Sequence, residues 1–228
     1  MPCGRKRERE DMGLGNKLLC LLYPPRCPFC GRVTPDGAPC PSCAEELSQT
    51  PPVQAPFPGV EGSYSRLIAA YDYAGMIRQA ILRYKKLGQR DSDLLLAGFV
   101  SVALRRQSDV GEFDLVTAAP GGSNSRARGF DAGERIALQT ARLLSLPFCP
   151  AFLPHAGRAQ KELSQKERLQ AVMDTRMRED LPPLDGLHVL LVDDVVTTGA
   201  TVRRCGTLLR QAGAAQVTAA AVAISEKA

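Results

Sequence analysis

The sequence has no tryptophan, and aromatic residues make up only 5% of its 228 positions. Few side chains can therefore act as stacking platforms for bases, and no dedicated single-strand groove is evident. Long apolar runs are missing as well. Leu18 to Tyr23 is about a third of the roughly 20 residues needed to span a bilayer, and it stops at Pro24-Pro25. A secretory leader is not indicated: Glu8, Glu10 and Asp11 break up the basic start, the apolar core is short, and no small-residue cleavage site follows. The expectation is a cytoplasmic protein with no membrane insertion. Neither sign of charge dominates, with 29 basic against 24 acidic residues and a net +5. That is an ordinary solvated surface, which permits a polyanion partner without arguing for one. The basic residues cluster at 78–90 and 126–128. The G-K-[ST] of a P-loop and the G-x-G-x-x-G of a dinucleotide fold do not occur at the phosphate-type loop described below.

Cysteine, by contrast, is present beyond what packing needs. Cys27-Pro-Phe-Cys30 and Cys40-Pro-Ser-Cys43 are two C-x-x-C knuckles. Each places two thiolates on a tight turn, so that all four could meet one ion at about 2.3 Å and close a tetrahedral set with no open position. Structural zinc held by Cys27, Cys30, Cys40 and Cys43 is the reading. Disulfides fit poorly without a leader peptide, and a redox pair would be single and would precede the helix of a βαβ unit. A segment this short cannot bury a core, so the metal would provide most of its folding energy. Cys149 and Cys205 lie in apolar stretches and read as buried thiols, while Cys3 and Cys20 have no paired spacing.

Four regions follow: a tail at 1–16, a zinc-binding module at 17–50, a stiff Pro-rich linker at 51–62, and an α/β domain at 63–228. Leu14 to Tyr23 could form a short amphipathic helix, and Ala44 to Leu47 a helical turn. In the large domain, strands are expected at Ser65–Tyr73, Phe113–Ala119, Phe148–Leu153, His188–Val192 and Gln216–Ile224. Helices are expected at Gly75–Leu87, Leu94–Leu104, Glu134–Leu144 and Thr201–Ala212, with a polar, charged loop at 155–170. Such alternation predicts a mostly parallel sheet flanked by helices.

The chemistry concentrates at 189–201. A continuous apolar strand, Val189 to Val192, ends in Asp193 and Asp194, and a Thr-Thr-Gly loop leads into a helix. Ligands of open parallel sheets bind beyond the carboxyl ends of the strands. There the loop would turn N–H groups inward and the helix would present its positive N-terminus, which suits a phosphate. Gly199 allows close approach or a positive φ, and Thr197, Thr198 and Thr201 add hydroxyl donors. Asp193 and Asp194 could accept hydrogen bonds from ribose hydroxyls, directly or through a metal. Each piece alone has a bland alternative, a solvated strand end or a helix cap. Their order on a strand-loop-helix frame points to a ribose 5-phosphate site.

This segment resembles the motif of type I phosphoribosyltransferases that binds phosphoribosyl pyrophosphate (PRPP). The resemblance implies that Asp193 and Asp194 contact the ribose 2- and 3-hydroxyls in the catalytic centre. It also implies that Val195, Val196, Thr197, Thr198, Gly199, Ala200 and Thr201 bind the 5-phosphate. Further blocks are similar to the ComF family, associated with competence for DNA uptake. They are Leu21-Leu-Tyr-Pro-Pro-Arg-Cys27, Tyr73-Ala-Gly-Met-Ile-Arg78 with Tyr84-Lys-Lys-Leu-Gly88, Asp114 to Pro120 with Arg126-Ala-Arg-Gly-Phe130, and Gln160-Lys-Glu-Leu-Ser164 with Arg168. The chain departs from the family's pattern at Ala118-Ala119, where Pro-Val is usual, and at Asp131-Ala132-Gly133, where Asn-Gln usually follows the Phe.

The resemblance implies displacement of pyrophosphate at C1 of the sugar, with magnesium bridging sugar and pyrophosphate oxygens. Lys86, Arg126 and Arg128 are placed on PRPP, with Lys85 a further candidate; solvent-facing charge is the alternative for the two lysines. Lys161 and Arg168 fall in a loop that could close over the site. Hypoxanthine-type salvage enzymes resemble this loop but carry an acid at the position of Thr197, and a threonine cannot serve as that acid or base. Three functions remain open: transfer of phosphoribose to an unidentified acceptor, a non-catalytic PRPP-sensing scaffold binding single-stranded DNA or competence proteins, and a zinc-stabilised interaction protein with a vestigial site. The oligomeric state is not specified by the sequence.

Overall fold

The computed structural model describes residues 24–88, 90–121, 129–154 and 172–225. Its centre is a five-stranded sheet in the order β1 (Phe57–Val60), β2 (Tyr64–Asp72), β5 (Gln216–Ile224), β4 (His188–Val196), β3 (Leu115–Ala118). β1 pairs antiparallel with β2, and the other pairs are parallel. Parallel strands covered on both faces need no polar alternation, which is why β4 and β5 read as unbroken Val, Leu and Ala runs. Leu190, Leu191, Ala219 and Ala221 are all fully buried.

The sheet is flanked by the helices α1 (Pro41–Gln49), α2 (Gly75–Leu87), α3 (Arg90–Gln107), α4 (Ala132–Leu144) and α5 (Ala200–Gln211), and a 3-10 turn at Val110–Glu112 precedes β3. On one face of the sheet, Ile77, Ile81, Leu96, Val100 and Ile136 of α2, α3 and α4 share a core with Ile68, Leu190 and Val222. On the other, Val202, Cys205 and Leu209 of α5 pack with Val189, Leu191 and Ala219. The chain leaving β3 thus enters a helix on one face, while the chain leaving β4 enters a helix on the opposite face. Two neighbouring parallel strands whose exits diverge leave a crevice at their carboxyl ends.

Several expectations change. The Pro-rich stretch at 51–62 is laid onto the sheet: Val53 N donates to Ala70 O at 3.0 Å, and 57–60 form β1. Pro58 lies in this strand, which is at the sheet's edge, where a missing N–H costs least. Residues 148–153 make only isolated bridges, Val116 with Phe148 and Phe152 with Met177. Pro147, Pro150 and Pro154 deprive this segment of ladder donors. The tail at 1–16, the amphipathic segment at 14–23 and the loop at 155–170, with Lys161 and Arg168, lie outside the described residues, as do Arg126 and Arg128.

Candidate functional site at the carboxyl ends of β3 and β4

β4 does not end at its acids. It runs from His188 to Val196 and so carries Asp193 and Asp194 within the strand. The branched Val195 and Val196 continue the pairing with Ala223 and Ile224 of β5 and hold the acids in a fixed backbone. Asp194 is buried, at 8% exposure, and its backbone N–H donates to Asp193 Oδ1 at 2.7 Å. Burial, and then the charge of Asp194, raise the Asp193 carboxyl well above the usual carboxylate range, against the pull of Lys85. Two acids this close do not readily ionise together, so the pair gives up its second proton reluctantly.

Among the described residues, Lys85 is paired with the acids. Lys85 Nζ donates to Asp194 Oδ1 at 2.7 Å. Burial works against the ammonium, but the charges of Asp194 and then Asp193 raise its pKa overall, so it stays protonated. Lys86, its neighbour, is exposed. Successive helical residues project about 100° apart, so only one of an adjacent pair can face the strand. The helical spacing itself carried the signal: Lys85 follows buried Ile81 by four positions, whereas Lys86 follows exposed Leu82.

The phosphate-type loop is shorter than 195–201. Val195 and Val196 belong to β4, Thr197 to Gly199 turn the chain, and Ala200 and Thr201 open α5. Gly199 stands at the N-cap with φ +68 and provides no side-chain cap for the first-turn N–H groups. Those groups have no partner within the helix and are the donors an anion needs. Thr197 and Thr198 are exposed around them. A Cβ on Gly199 would lie 3.9 Å from the Tyr64 hydroxyl, which makes Tyr64 part of the loop's wall. No local pattern in the sequence marks Tyr64, because it arrives from β2.

The far wall joins two sequence blocks. α2 ends on Gly88, in the left-handed region at φ +62, where a Cβ would strike the Phe130 ring at 2.8 Å. Phe130 packs on Tyr84 with ring centroids 5.7 Å apart, and the Arg135 guanidinium lies over the Phe130 ring, 4.4 Å from its centroid, while donating to Gly88 O. Asp131 caps α4 through Glu134 N and accepts from Gly121 N at 2.7 Å, closing the chain that leaves β3. A Cβ on Gly133 would lie 3.7 Å from Asp193 Oδ1, so the start of α4 borders the acids. Asp131 is a structural element of the site that its departure from the Asn-Gln pattern had obscured.

The four cysteines form the second chemical cluster. Their sulfurs all lie within 4.8 Å of one another, and Cys30 and Cys40 are 3.6 Å apart. A tetrahedral ion with bonds of about 2.3 Å needs edges of about 3.8 Å. Burial disfavours the Cys27 thiolate, but N–H donors of Cys30, Cys40 and Phe29 outweigh it and bring that thiol down to about 6. Cys43 is pushed up by burial and by its neighbouring sulfurs. Such a set is unfavourable without a cation and fits a structural zinc ion. The cluster does not stand apart: Cys27, Phe29, Cys40 and Cys43 belong to the same buried core as Ile77 and Ala80 of α2. Arg83 of α2 lies across Gly31, where a Cβ would meet its guanidinium at 1.8 Å.

Residues 131–228 match the family model described as phosphoribosyl transferase domain. The chain is 28% identical over 197 residues to the DNA utilization protein YhgH of Salmonella typhi, covering 84% of this chain and 80% of that one. The protein of the same name from Salmonella typhimurium matches equally. Among solved structures, the glutamine PRPP amidotransferase from B. subtilis aligns at 25% identity and TM-score 0.40, over 58% of this chain. The chain spans 26% of the length of that enzyme. Orotate phosphoribosyltransferase from Aeropyrum pernix aligns at 21% identity and TM-score 0.40, over 64% of this chain and 65% of its own. No helix among the described residues is long and apolar enough to cross a membrane. Residues 131–228 thus match a phosphoribosyl transferase domain, in a ComF-like chain whose mixed five-stranded sheet is of the phosphoribosyltransferase type and whose four-cysteine module lies at its N-terminal side.

Proposed function

We propose that this protein binds PRPP with magnesium in the crevice between β3 and β4 and transfers its phosphoribose to an acceptor used in DNA utilization. The observation that carries this reading is the alignment, on one continuous strand and turn, of a carboxylate pair with an uncapped helix N-terminus. The N–H groups opening α5, with the hydroxyls of Thr197, Thr198 and Thr201, hold the 5-phosphate. Asp193 and Asp194 accept from the ribose hydroxyls and fix the sugar. The acceptor's nucleophile replaces pyrophosphate at C1, and the chain's part is to position the sugar and neutralise charge. The acid pair offers hard oxygen donors side by side on one strand, which suits magnesium. When bound, that ion would neutralise charge on the pyrophosphate as it leaves. The link to DNA utilization rests on the named function of the Salmonella relatives.

The test is pyrophosphate release from PRPP across a panel of nucleobase, nucleoside, amine and oligonucleotide acceptors. Turnover with one acceptor class, abolished by Asp194→Ala, is the expected result. Binding of PRPP without turnover across the whole panel removes the transferase and leaves a PRPP-binding scaffold.

A further inference from the structure

α3 has no polar face. From Leu94 to Leu104 its residues are apolar or glycine except Ser101, whose hydroxyl donates back to Ala97 O at 2.8 Å within the helix. A surface helix carries charged and polar residues on its outer side, whereas a helix that is apolar all round is covered all round. Within the chain, α3 is covered on three sides. Leu96, Ala97, Val100 and Leu104 are buried in the core shared with the sheet. Phe99 meets the Tyr71 ring edge-on at 5.1 Å on one flank, and Arg105 Nη2 donates to Leu143 O of α4 on the other. The fourth side is open: Leu94 is 45% and Val102 48% exposed. Between them lies Gly98, where an added Cβ would meet nothing within 4 Å.

The open side is symmetric about Gly98. Leu94 stands four positions before it and Val102 four after, about one helical turn in each direction. Asp91 stands seven positions before it and Arg105 seven after. At about 100° per residue, positions 91 and 105 both fall within about 20° of the direction of Gly98. An antiparallel copy of α3 laid across Gly98 on a two-fold axis therefore sets Leu94 against the partner's Val102, and Val102 against the partner's Leu94. It also sets position 91 against position 105, which carry opposite charges in the sequence. The two glycines meet at the axis, where the lack of side chains lets the helices approach to about 8 Å, the short end of helix packing distances.

We propose that this face of α3 is an interface between two copies of this chain, packed about a two-fold axis at Gly98. The inference is independent of what the crevice binds. Area sets the strength of the contact. A helix of 18 residues is roughly 27 Å long and about 10 Å wide, so one face offers on the order of 300 Å². That is well below the ~800 Å² per partner of a standard stable interface, so the dimer is a reversible one, with a dissociation constant of roughly 10–100 µM.

The experiment is sedimentation velocity of the full chain from about 1 to 500 µM, a range in which mass action moves such an equilibrium. It compares the wild type, Leu94→Lys, Val102→Glu, the double variant carrying both changes, and Gly98→Leu. Both charged changes fall on exposed positions, and melting curves at low concentration check that each variant is folded. The wild type should pass from monomer to dimer as concentration rises. Each single charge should weaken association by at least about 10-fold, because it is set against an apolar side chain of the partner. The double variant should recover most of that loss, because the introduced charges of opposite sign face each other across the axis. Gly98→Leu should weaken association as strongly while melting no lower than the wild type, since glycine is a poor helix former. A wild type that stays monomeric at every concentration overturns the proposal, and the face then has another occupant, residues 1–23 of the chain or a different protein. Dimers untouched by the single changes overturn it as well, since they use another surface. Failure of the double variant to recover overturns the two-fold register on which it rests.

Discussion

The ring of Phe130 lies 5.7 Å from the ring of Tyr84, and the same Phe130 side chain fills the space over Gly88 that any other residue's Cβ would occupy. This contact joins the end of α2 to the chain entering α4, so the helix bearing Lys85 and the helix bordering Asp193 are set by one aromatic side chain. Phe130→Ala should lower stability by about 1 to 3 kcal/mol, since the ring is partly rather than fully buried. It should also weaken PRPP more than Phe130→Leu, which keeps most of the apolar contact. Denaturant melts and titration measure both. An Ala variant with full ligand affinity would show that the contact serves the fold alone.

Asp193 predicts a conflict between stability and binding. The native fold raises its pKa above the unfolded value of 3.8, so the native state holds the proton more tightly than the unfolded chain. This favours folding only at low pH, and the benefit is lost as pH rises above 3.8 toward the raised native value. Around neutrality and above, the native carboxylate therefore carries a cost that an amide does not. Asp193→Asn should be more stable than wild type at pH 8, by roughly 1 to 3 kcal/mol, with the margin shrinking toward pH 5. Thermal melts at both pH values decide it. An amide variant that is less stable by the same amount at both would contradict the assignment.

The cysteine cluster shares its buried core with α2, so metal loss should reach the whole domain. Elemental analysis should find one zinc ion per chain, carried by Cys27, Cys30, Cys40 and Cys43. Chelation, or Cys43→Ser, should lower the melting temperature of a single calorimetric transition and not split off a small early one. Two separate transitions, with the later one unmoved, would mean that the module folds independently of the sheet.

Much of this architecture is legible in the sequence because it rests on local periodicity. Met76, Ile77, Ala80, Ile81 and Tyr84 at helical spacing before Gly88 define α2 to the residue. The Val and Ala runs define β4's start and all of β5 for the same reason. What was missed depends on contacts made at a distance. β4 extends through its acids because β5 offers partners as far as Ile224, which no local pattern reveals. The Pro-rich stretch reads as a linker by composition, yet it becomes an edge strand because β2 has an open side. Lys85 and Lys86 are alike in type and adjacent. Only the identity of the helix face, together with the position of β4, selects Lys85 as the partner of Asp194.

The central claim is that the strand-and-turn at 188–201 is a live ribose-phosphate site. It is tested most directly by calorimetric titration of the wild type and Thr198→Ala with PRPP, in the presence and absence of magnesium. The account predicts binding that requires magnesium and is weakened about 5- to 20-fold in Thr198→Ala, the loss of one hydrogen bond to a charged group. Absence of binding by the folded wild type, or binding indifferent to both magnesium and Thr198, would contradict it.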